Sequence, residues 1–251
     1  MTEDHPNLLA SPRFLSAGDT ALVVEFGETV DREVNHRVMR LGEAARAANV
    51  AGLVDLVPTF RSLMVHYDPT VTSRRAVESR LRELLTEAGS APIVGRLWEF
   101  PVLYGEEAGP DLEEVAKRTG LSPDRVVELH AGTEYEAYMM GFMPGLAYLG
   151  IIPKELELPR RNEPRVRVPA GSVAIAINLT NVYSLESPGG WHLLGRTPVD
   201  LFDLHRDPQA LLTAGDRVRF RPVGRDVYDE LKARMAAGDT RFDPMPQEGE
   251  P

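Results

Sequence analysis

Arg165 and Arg167 stand two residues apart in the run Pro164-Arg165-Val166-Arg167-Val168-Pro169-Ala170-Gly171-Ser172. In an extended segment alternate side chains share a face. Both guanidinium groups are therefore expected side by side, with Val166 and Val168 on an apolar underside. Such a pair suits a carboxylate or a phosphate, which arginine binds through two parallel hydrogen bonds. The competing use is ion pairing with surface carboxylates. Arg161 comes just before, in Pro159-Arg160-Arg161. Arg196 lies in Ser187-Pro188-Gly189-Gly190-Trp191-His192-Leu193-Leu194-Gly195-Arg196-Thr197-Pro198, where Gly189 and Gly190 offer backbone N–H groups to an oxyanion. Trp191 either floors a pocket or plugs a core. Upstream, Gly141-Phe142-Met143-Pro144-Gly145-Leu146-Ala147-Tyr148-Leu149-Gly150 combines glycines that allow close approach of a ligand with a proline that fixes the loop. Function is expected on this one Gly/Pro-rich surface, residues 141–197.

Other chemistries find less support. The six histidines, at 5, 36, 66, 130, 192 and 205, show no metal-binding spacing. His130 borders the Gly/Pro-rich surface and His192 lies inside it; each is either a general acid–base or a hydrogen-bonded structural histidine. No phosphate-binding G-x-x-x-x-G-K-[ST], no G-x-G-x-x-G and no G-x-S-x-G occurs. Ser187 and His192 with Asp200 or Asp203 lack any spacing that would mark a triad. Without cysteine there is no disulfide, thiolate metal site or thiol nucleophile. A formal net charge of −10 argues against nucleic acid. Residues 111–128 imitate a helix-turn-helix around Gly120, but the second helix sets Asp124 and Glu128 beside Arg125, which is wrong for reading bases. The acidic N-terminus does not read as a signal peptide, and no stretch approaches the ~20 apolar residues of a membrane span, so a cytoplasmic location is expected.

The elements that would position these residues fall into two domains with a linker at Ser90-Ala91-Pro92. In residues 1–91, a β-run at 21–26 precedes the apolar stripe Val30, Val34, Val38, Leu41, Ala45 and Ala48 of an amphipathic helix. Strands at 53–57 and 62–67 follow, then a helix through Val77, Leu81, Leu84, Leu85 and Ala88, capped by Thr72 or Ser73 and stopped by Gly89. The order β-α-β-β-α suggests an α+β, ferredoxin-like unit. Residues 92–223 read as a strand at 97–104, two short helices at 111–119 and 123–131, and many short strands split by Gly and Pro, which indicates a compact barrel or sandwich. Residues 224–251 read as a helix at 227–235 followed by a disordered tail from 243.

Taken in order, G-F-x-P-G-x-x-Y-L-G, P-R-R-x-x-P-R-x-x-V-P-A-G-S-V and S-P-G-G-W-x-L-x-G-R-T-P resemble the family of B-type 5-oxoprolinase subunits, which includes KipI-type kinase inhibitors and proteins called allophanate hydrolase subunit 1. The resemblance covers about residues 128–222, including Glu128-Leu129-His130 and Ala214-Gly215-Asp216-Arg217-Val218. It implies a cyclophilin-like β-barrel and a small α+β domain. It also implies a C-type partner of homologous fold, with a further A-type partner, and ATP (with magnesium) bound together with the partner to open 5-oxoproline to glutamate. On this footing Tyr148, Arg161, Arg165, Arg167, Ser172, Thr180, Gly189, Gly190 and Arg196 are candidates for binding substrate or phosphate, and His130 and His192 for acid–base catalysis. The alternatives are a KipI-type inhibitor docking on a sensor histidine kinase through an apolar patch around Phe142, Leu146 and Tyr148, or an allophanate hydrolase or urea carboxylase-related component. One stretch departs from the family pattern. Where the family usually runs A-G-x-Q-T-G-I-Y-P, this chain has Ala176-Ile177-Asn178-Leu179-Thr180-Asn181-Val182-Tyr183-Ser184. Leu179 cannot replace the hydrogen bonds of a glutamine.

Overall fold

The computed structural model describes residues 6–87, 95–238 and 242–245. The chain divides into two compact units, Met1–Val94 and Gly95–Pro251. The expected linker and the Gly89 stop lie outside the described residues.

The first unit runs β1 (Leu8–Ser16), β2 (Ala21–Gly27), α1 (Arg32–Ala47), β3 (Leu53–Pro58), β4 (Ser62–Tyr67) and α2 (Arg74–Glu87). Its antiparallel sheet has the order β1-β2-β4-β3. Asp31 starts α1 by accepting hydrogen bonds from the Glu33 and Val34 N–H groups, as a good N-cap does. The stripe Val34, Val38, Leu41 and Ala45 then packs with Leu22, Val24, Leu63 and Val65 in one core. Ser73 Oγ accepts from Ala76 N at the start of α2. The expected β-α-β-β-α order is incomplete. A ferredoxin-like β-α-β-β-α-β chain supplies its fourth strand last, whereas here the extra edge strand, β1, comes first. Pro12 hid it from pattern reading, since proline is tolerated in strands mainly at edges and bulges, and β1 has both an edge position and a register break between Leu8 and Arg13.

The second unit contains β5 (Leu97–Tyr104), α3 (Leu112–Thr119), α4 (Pro123–Ala131), β6 (Tyr135–Met140), β7 (Ala147–Gly150), β8 (Arg165–Val168), β9 (Ser172–Ala176), β10 (Leu179–Val182), β11 (Ser187–Gly189), β12 (His192–Arg196), β13 (Arg217–Pro222) and α5 (Arg225–Ala236). Seven strands close a barrel in the order β10-β7-β6-β13-β5-β12-β9, while β8 and β11 form a separate ribbon. Strands β7 and β11 are too short and too glycine-rich for pattern reading to find. The barrel closes through a parallel β5–β13 pair. Buried Asp216 holds that seam, accepting from Arg96, Trp98 Nε1 and Thr213 N. Phe100, Tyr135, Leu149, Val173, Ile175, Val182 and Phe220 fill the interior.

Helices α3 and α4 add Val115 and Val126 to the same core. Gly120 turns between them in the left-handed region, φ 73°. The helix-turn-helix look is therefore a plug on the barrel. The expected loose tail is pinned where it starts: Phe242 stacks on Trp98 with ring centroids 6.4 Å apart, and Met245 N donates to Leu97 O at 2.7 Å. Among the described residues no helix is long and apolar enough to cross a membrane.

Candidate functional site

Successive residues of the barrel strands face alternately in and out. Ala147, Leu149, Val173, Ile175, Val182 and Leu194 point into the core. Their neighbours Tyr148, Asn181, Ala174 and Leu193 therefore lie on the outer face. The strand register places these four in one row: Tyr148 opposite Asn181, Asn181 opposite Ala174, and Ala174 opposite Leu193.

At the end of the row the Leu193 N–H donates to Asp111 Oδ2 at 2.7 Å. Asp111 is the residue before α3, yet its carboxylate caps no helix N–H. Instead Oδ1 accepts from Arg161 Nη1 (2.9 Å) and Arg165 Nη2 (2.6 Å), and Oδ2 accepts from Arg165 Nη1 (2.8 Å). The carboxylate is buried, so these charge-assisted bonds replace its hydration.

Tyr183 follows Asn181 on the same face. A Cβ at Gly189 would lie 2.2 Å from the Tyr183 hydroxyl oxygen, so only glycine lets the β8–β11 ribbon close over that hydroxyl. Burial raises the Tyr183 pKa; the Trp191 backbone and the positive charges of Arg160 and Arg165 pull against that rise. The Tyr148 and Trp191 rings sit 6.0 Å apart. The result is an aromatic patch with cations at its edge and a buried amide, Asn181, in its floor. Asn181 is 3% exposed and its Oδ1 has no hydrogen-bond partner among the described residues.

Residues 12–212 match the family model of the carboxyltransferase domain, subdomain C and D. The chain belongs to this family. It is 40% identical over 229 residues to the B-type subunit of 5-oxoprolinase from Bacillus subtilis, covering 86% of this chain and 94% of the relative. The corresponding 5-oxoprolinase component of Escherichia coli O157:H7 is 43% identical over 211 residues, covering 84% and 95%. Among solved structures, TTHA0988 aligns with a TM-score of 0.72 at 43% identity, over 81% of this chain but only 40% of that one. The chain thus spans about two-fifths of that longer protein.

In this carboxyltransferase-domain chain the candidate residues separate into groups. Tyr148, Arg161, Arg165, Gly189 and Gly190 come together. Gly189 pairs with Arg165 across the ribbon, and the Gly190 carbonyl accepts from Arg161 N at 2.8 Å. The expected arginine pair does not form. Arg165 turns to Asp111, while Arg167 projects into solvent and meets Glu186 at 2.7 Å. The apolar underside is also absent on one side, because Val166 is 88% exposed while Val168 is buried. The ribbon's register breaks between Ser187 and Gly189, opposite this stretch. Ser172 is buried at the start of β9, with its carbonyl taken by Tyr183 N. Arg196 donates through Nε to Ala170 O at 2.9 Å, and its terminal nitrogens carry no hydrogen bond among the described residues.

The two histidines differ. His130 is 0% exposed, stacked on Phe220, and bonded at both nitrogens. The Thr180 hydroxyl gives its one hydrogen to Ala174 O (3.0 Å), so it accepts from His130 Nε2–H (2.9 Å). His130 Nδ1 then accepts from the Tyr104 hydroxyl at 2.8 Å. Burial lowers its pKa to about 3. His130 and Thr180 are structural parts of the core, sealed from any substrate. This corrects the expected acid–base and binding roles. His192 donates through Nε2 to Pro159 O at 3.0 Å, and its Nδ1 is buried without a partner among the described residues.

The departures from the family pattern also have structural consequences. Ile177, at the pattern's first glycine, adopts φ 59° and is 52% exposed; a β-branched residue there is strained. Leu179 packs its Cδ2 toward Gly150, and Ser184 Oγ donates to Pro144 O at 2.6 Å. The apolar docking patch is broken, since Leu146 is fully buried while Phe142 is exposed. Sequence reading missed Asp111, Arg160 and Tyr183 as members of the site. Asp111 carries only a helix-start signal, and nothing local ties it to arginines ~50 residues on. For Tyr183 the available signal was its match to the tyrosine of the I-Y-P pattern.

Proposed function

We propose that this chain is the B-type component of an ATP-dependent 5-oxoprolinase-type complex, active with a C-type partner and an A-type partner, converting 5-oxoproline, ATP and water to glutamate, ADP and phosphate. The observation that carries the reading is the match to proteins named as this 5-oxoprolinase component over nearly all of their length. The closed barrel agrees with the cyclophilin-like fold of that family. The geometry suits the substrate class. 5-Oxoproline is a small ring with a carboxylate at one side and a lactam at the other, and the outer face offers the exposed guanidinium of Arg160 and the half-buried ring of Tyr148.

This chain's own part is binding and orientation. Arg160 makes no hydrogen bond or ion pair among the described residues and lies within electrostatic reach of Tyr183, so its guanidinium is available to a carboxylate. The terminal nitrogens of Arg196 are a second candidate for anionic oxygens. Arg161 and Arg165 act at one remove: tied to Asp111, they hold the β8–β11 ribbon against β12. Magnesium-bound ATP supplies the activation that a resonance-stabilised lactam needs for hydrolysis at neutral pH. The described residues of this chain contain no cluster of three acidic or histidine groups able to hold a metal, and the nucleotide is assigned to the assembled complex.

The test is reconstitution with the C- and A-type partners, followed by assay of ATP-dependent glutamate release from 5-oxoproline. Release with the three chains together, and none when this chain is left out, is expected. An assembled complex that hydrolyses no 5-oxoproline would sink the proposal.

A further inference from the structure

Three loops meet at the end of the barrel where β6, β10 and β12 finish, as the strand pairings require. Each raises an apolar side chain into solvent: Phe142 (65% exposed), Leu185 (39%) and Leu204 (68%). The loops are fastened to one another. Ser184 Oγ donates to Pro144 O at 2.6 Å, and a Cβ at Gly145 would lie 2.7 Å from Phe202 Cβ, so the backbone there packs directly on the loop that carries Leu204. They are also held in shape. Arg206 donates to the carbonyls of Asp200, Pro208 and Gln209, which ties the Leu204 turn to its own stem. Phe142 adopts φ 69°, a left-handed conformation that is unfavourable for a bulky residue. Its ring is exposed, so packing within this chain does not offset that cost. Preformed apolar tips lose little conformational entropy on docking, and a cluster of them marks an interaction surface. Residues 200–210 also carry three aspartates, Asp200, Asp203 and Asp207, against one arginine. Burial raises the Asp200 pKa; Arg206 pulls it down, and the charge of Asp203 adds to the rise. An arriving cation relieves that crowding of negative charge.

The family model that matches is that of subdomains C and D alone, and TTHA0988 has about three-fifths of its length outside the part that aligns with this chain. On the 5-oxoprolinase reading above, on which this inference rests, the remaining subdomains come from the C-type partner, and this chain needs a surface for it. An apolar cluster edged by aspartates selects a partner face that is apolar at its centre and basic at its rim. We propose that Phe142, Leu185 and Leu204 form the docking surface for the C-type partner, with Asp200, Asp203 and Asp207 facing lysine or arginine side chains of that partner.

The experiment titrates the full chain with the C-type partner by calorimetry, unaltered and carrying Phe142→Gly with Leu204→Ser. Both changes fall on exposed tips, and glycine suits the left-handed position, so the urea midpoint should stay close to that of the unaltered chain. Affinity for the partner should fall by about tenfold or more. Asp200→Lys with Asp207→Lys should slow association by about tenfold at low salt and by less at high salt, and it carries the test should the apolar variant not fold. Val54→Ser removes an equally exposed apolar side chain, 69% accessible, from the first unit and should leave affinity within about twofold. Folded variants that bind the partner as the unaltered chain does, or an equal loss in Val54→Ser, overturn the docking surface. So does light scattering that shows a dimer of this chain alone, lost in the variants while partner affinity is kept, since the surface then serves a second copy. Glutamate release by the three unaltered chains is read separately: binding lost in the variants without any release upholds the surface and overturns the 5-oxoprolinase reading.

Discussion

The two faces of β9 and β10 treat polar side chains in opposite ways. On the inner face His130, Thr180 and Tyr104 form a closed chain of hydrogen bonds ending on the Ala174 carbonyl, with every ring nitrogen and hydroxyl used. On the outer side Asn181 Oδ1 is as deeply buried and has no partner among the described residues, and in the same half Arg161 Nε and His192 Nδ1 share that condition. An unpaired buried polar group costs ~1–3 kcal/mol. The two sides differ in hydrogen bonding and not in access, since Ala174, Asn181, Tyr183 and Leu193 are all buried. The contrast also ranks the histidines: His130, bonded at both nitrogens on the inner face, belongs to stability.

The largest effect should come from cutting the tight polar hub at Asp111 on the outer side. Asp111→Ala leaves two guanidinium groups without their buried counter-charge and should cost ~3–5 kcal/mol, read as a lower urea midpoint. A loss under ~1 kcal/mol would mean that the arginines re-pair with solvent or with Glu114, which already lies 3.6 Å from Arg161.

The inner face should show itself through pH. The folded His130 pKa of about 3 lies below the ordinary 6.5, so on acidification the unfolded chain takes a proton that the folded chain refuses. Stability is unaffected by this group above pH 6.5 and falls as the pH drops from there toward about 3, by ~1.4 kcal/mol per pH unit while one proton separates the states. His130→Phe should remove that slope. Denaturation curves at pH 7, 5 and 4 for both proteins give the comparison, and parallel losses would assign the proton to another group.

Smaller effects test the edge of the outer face. Ile177→Gly relieves a left-handed β-branched residue worth ~1–2 kcal/mol, offset by ~0.5–1 kcal/mol of extra chain entropy, so the melting temperature should rise slightly. A clear fall would show that the half-exposed Ile177 side chain packs usefully. Arg167→Ala should change stability by less than ~0.5 kcal/mol and leave glutamate release within about twofold, since its pair with Glu186 is solvent-exposed. A tenfold loss of turnover would return Arg167 to the site.

Much of this was legible beforehand, for reasons that differ by residue. The stripe of α1, the two short helices turning at Gly120 and the strands at 62–67, 97–104 and 165–168 follow from periodicity and turn chemistry, which act within a few residues. Edge strand β1 and the short β7 and β11 were not legible, because their pairing partners and not their own composition make them strands. The same holds for the site. Motif spacing brought Gly189, Arg161 and Arg165 into view, and of the two uses open to Arg165 and Arg167 the structure shows the ion pairs, with Asp111 and Glu186, and not the side-by-side pair.

The sequence by itself determined the family, the two-part organisation and the stretch of chain on which binding is built, since three ordered motifs and the charge pattern survive without coordinates. Only the tertiary structure decided which side of each strand faces the core. That choice made His130 a buried, neutral core residue, gave Arg165 to Asp111 across 54 residues of chain, and left Asn181 as a buried amide whose Oδ1 meets no donor among the described residues. The physical reason is that a polar side chain's role depends on which donors, acceptors and charges the closed barrel brings within ~3 Å of it, and sequence distance carries no record of that.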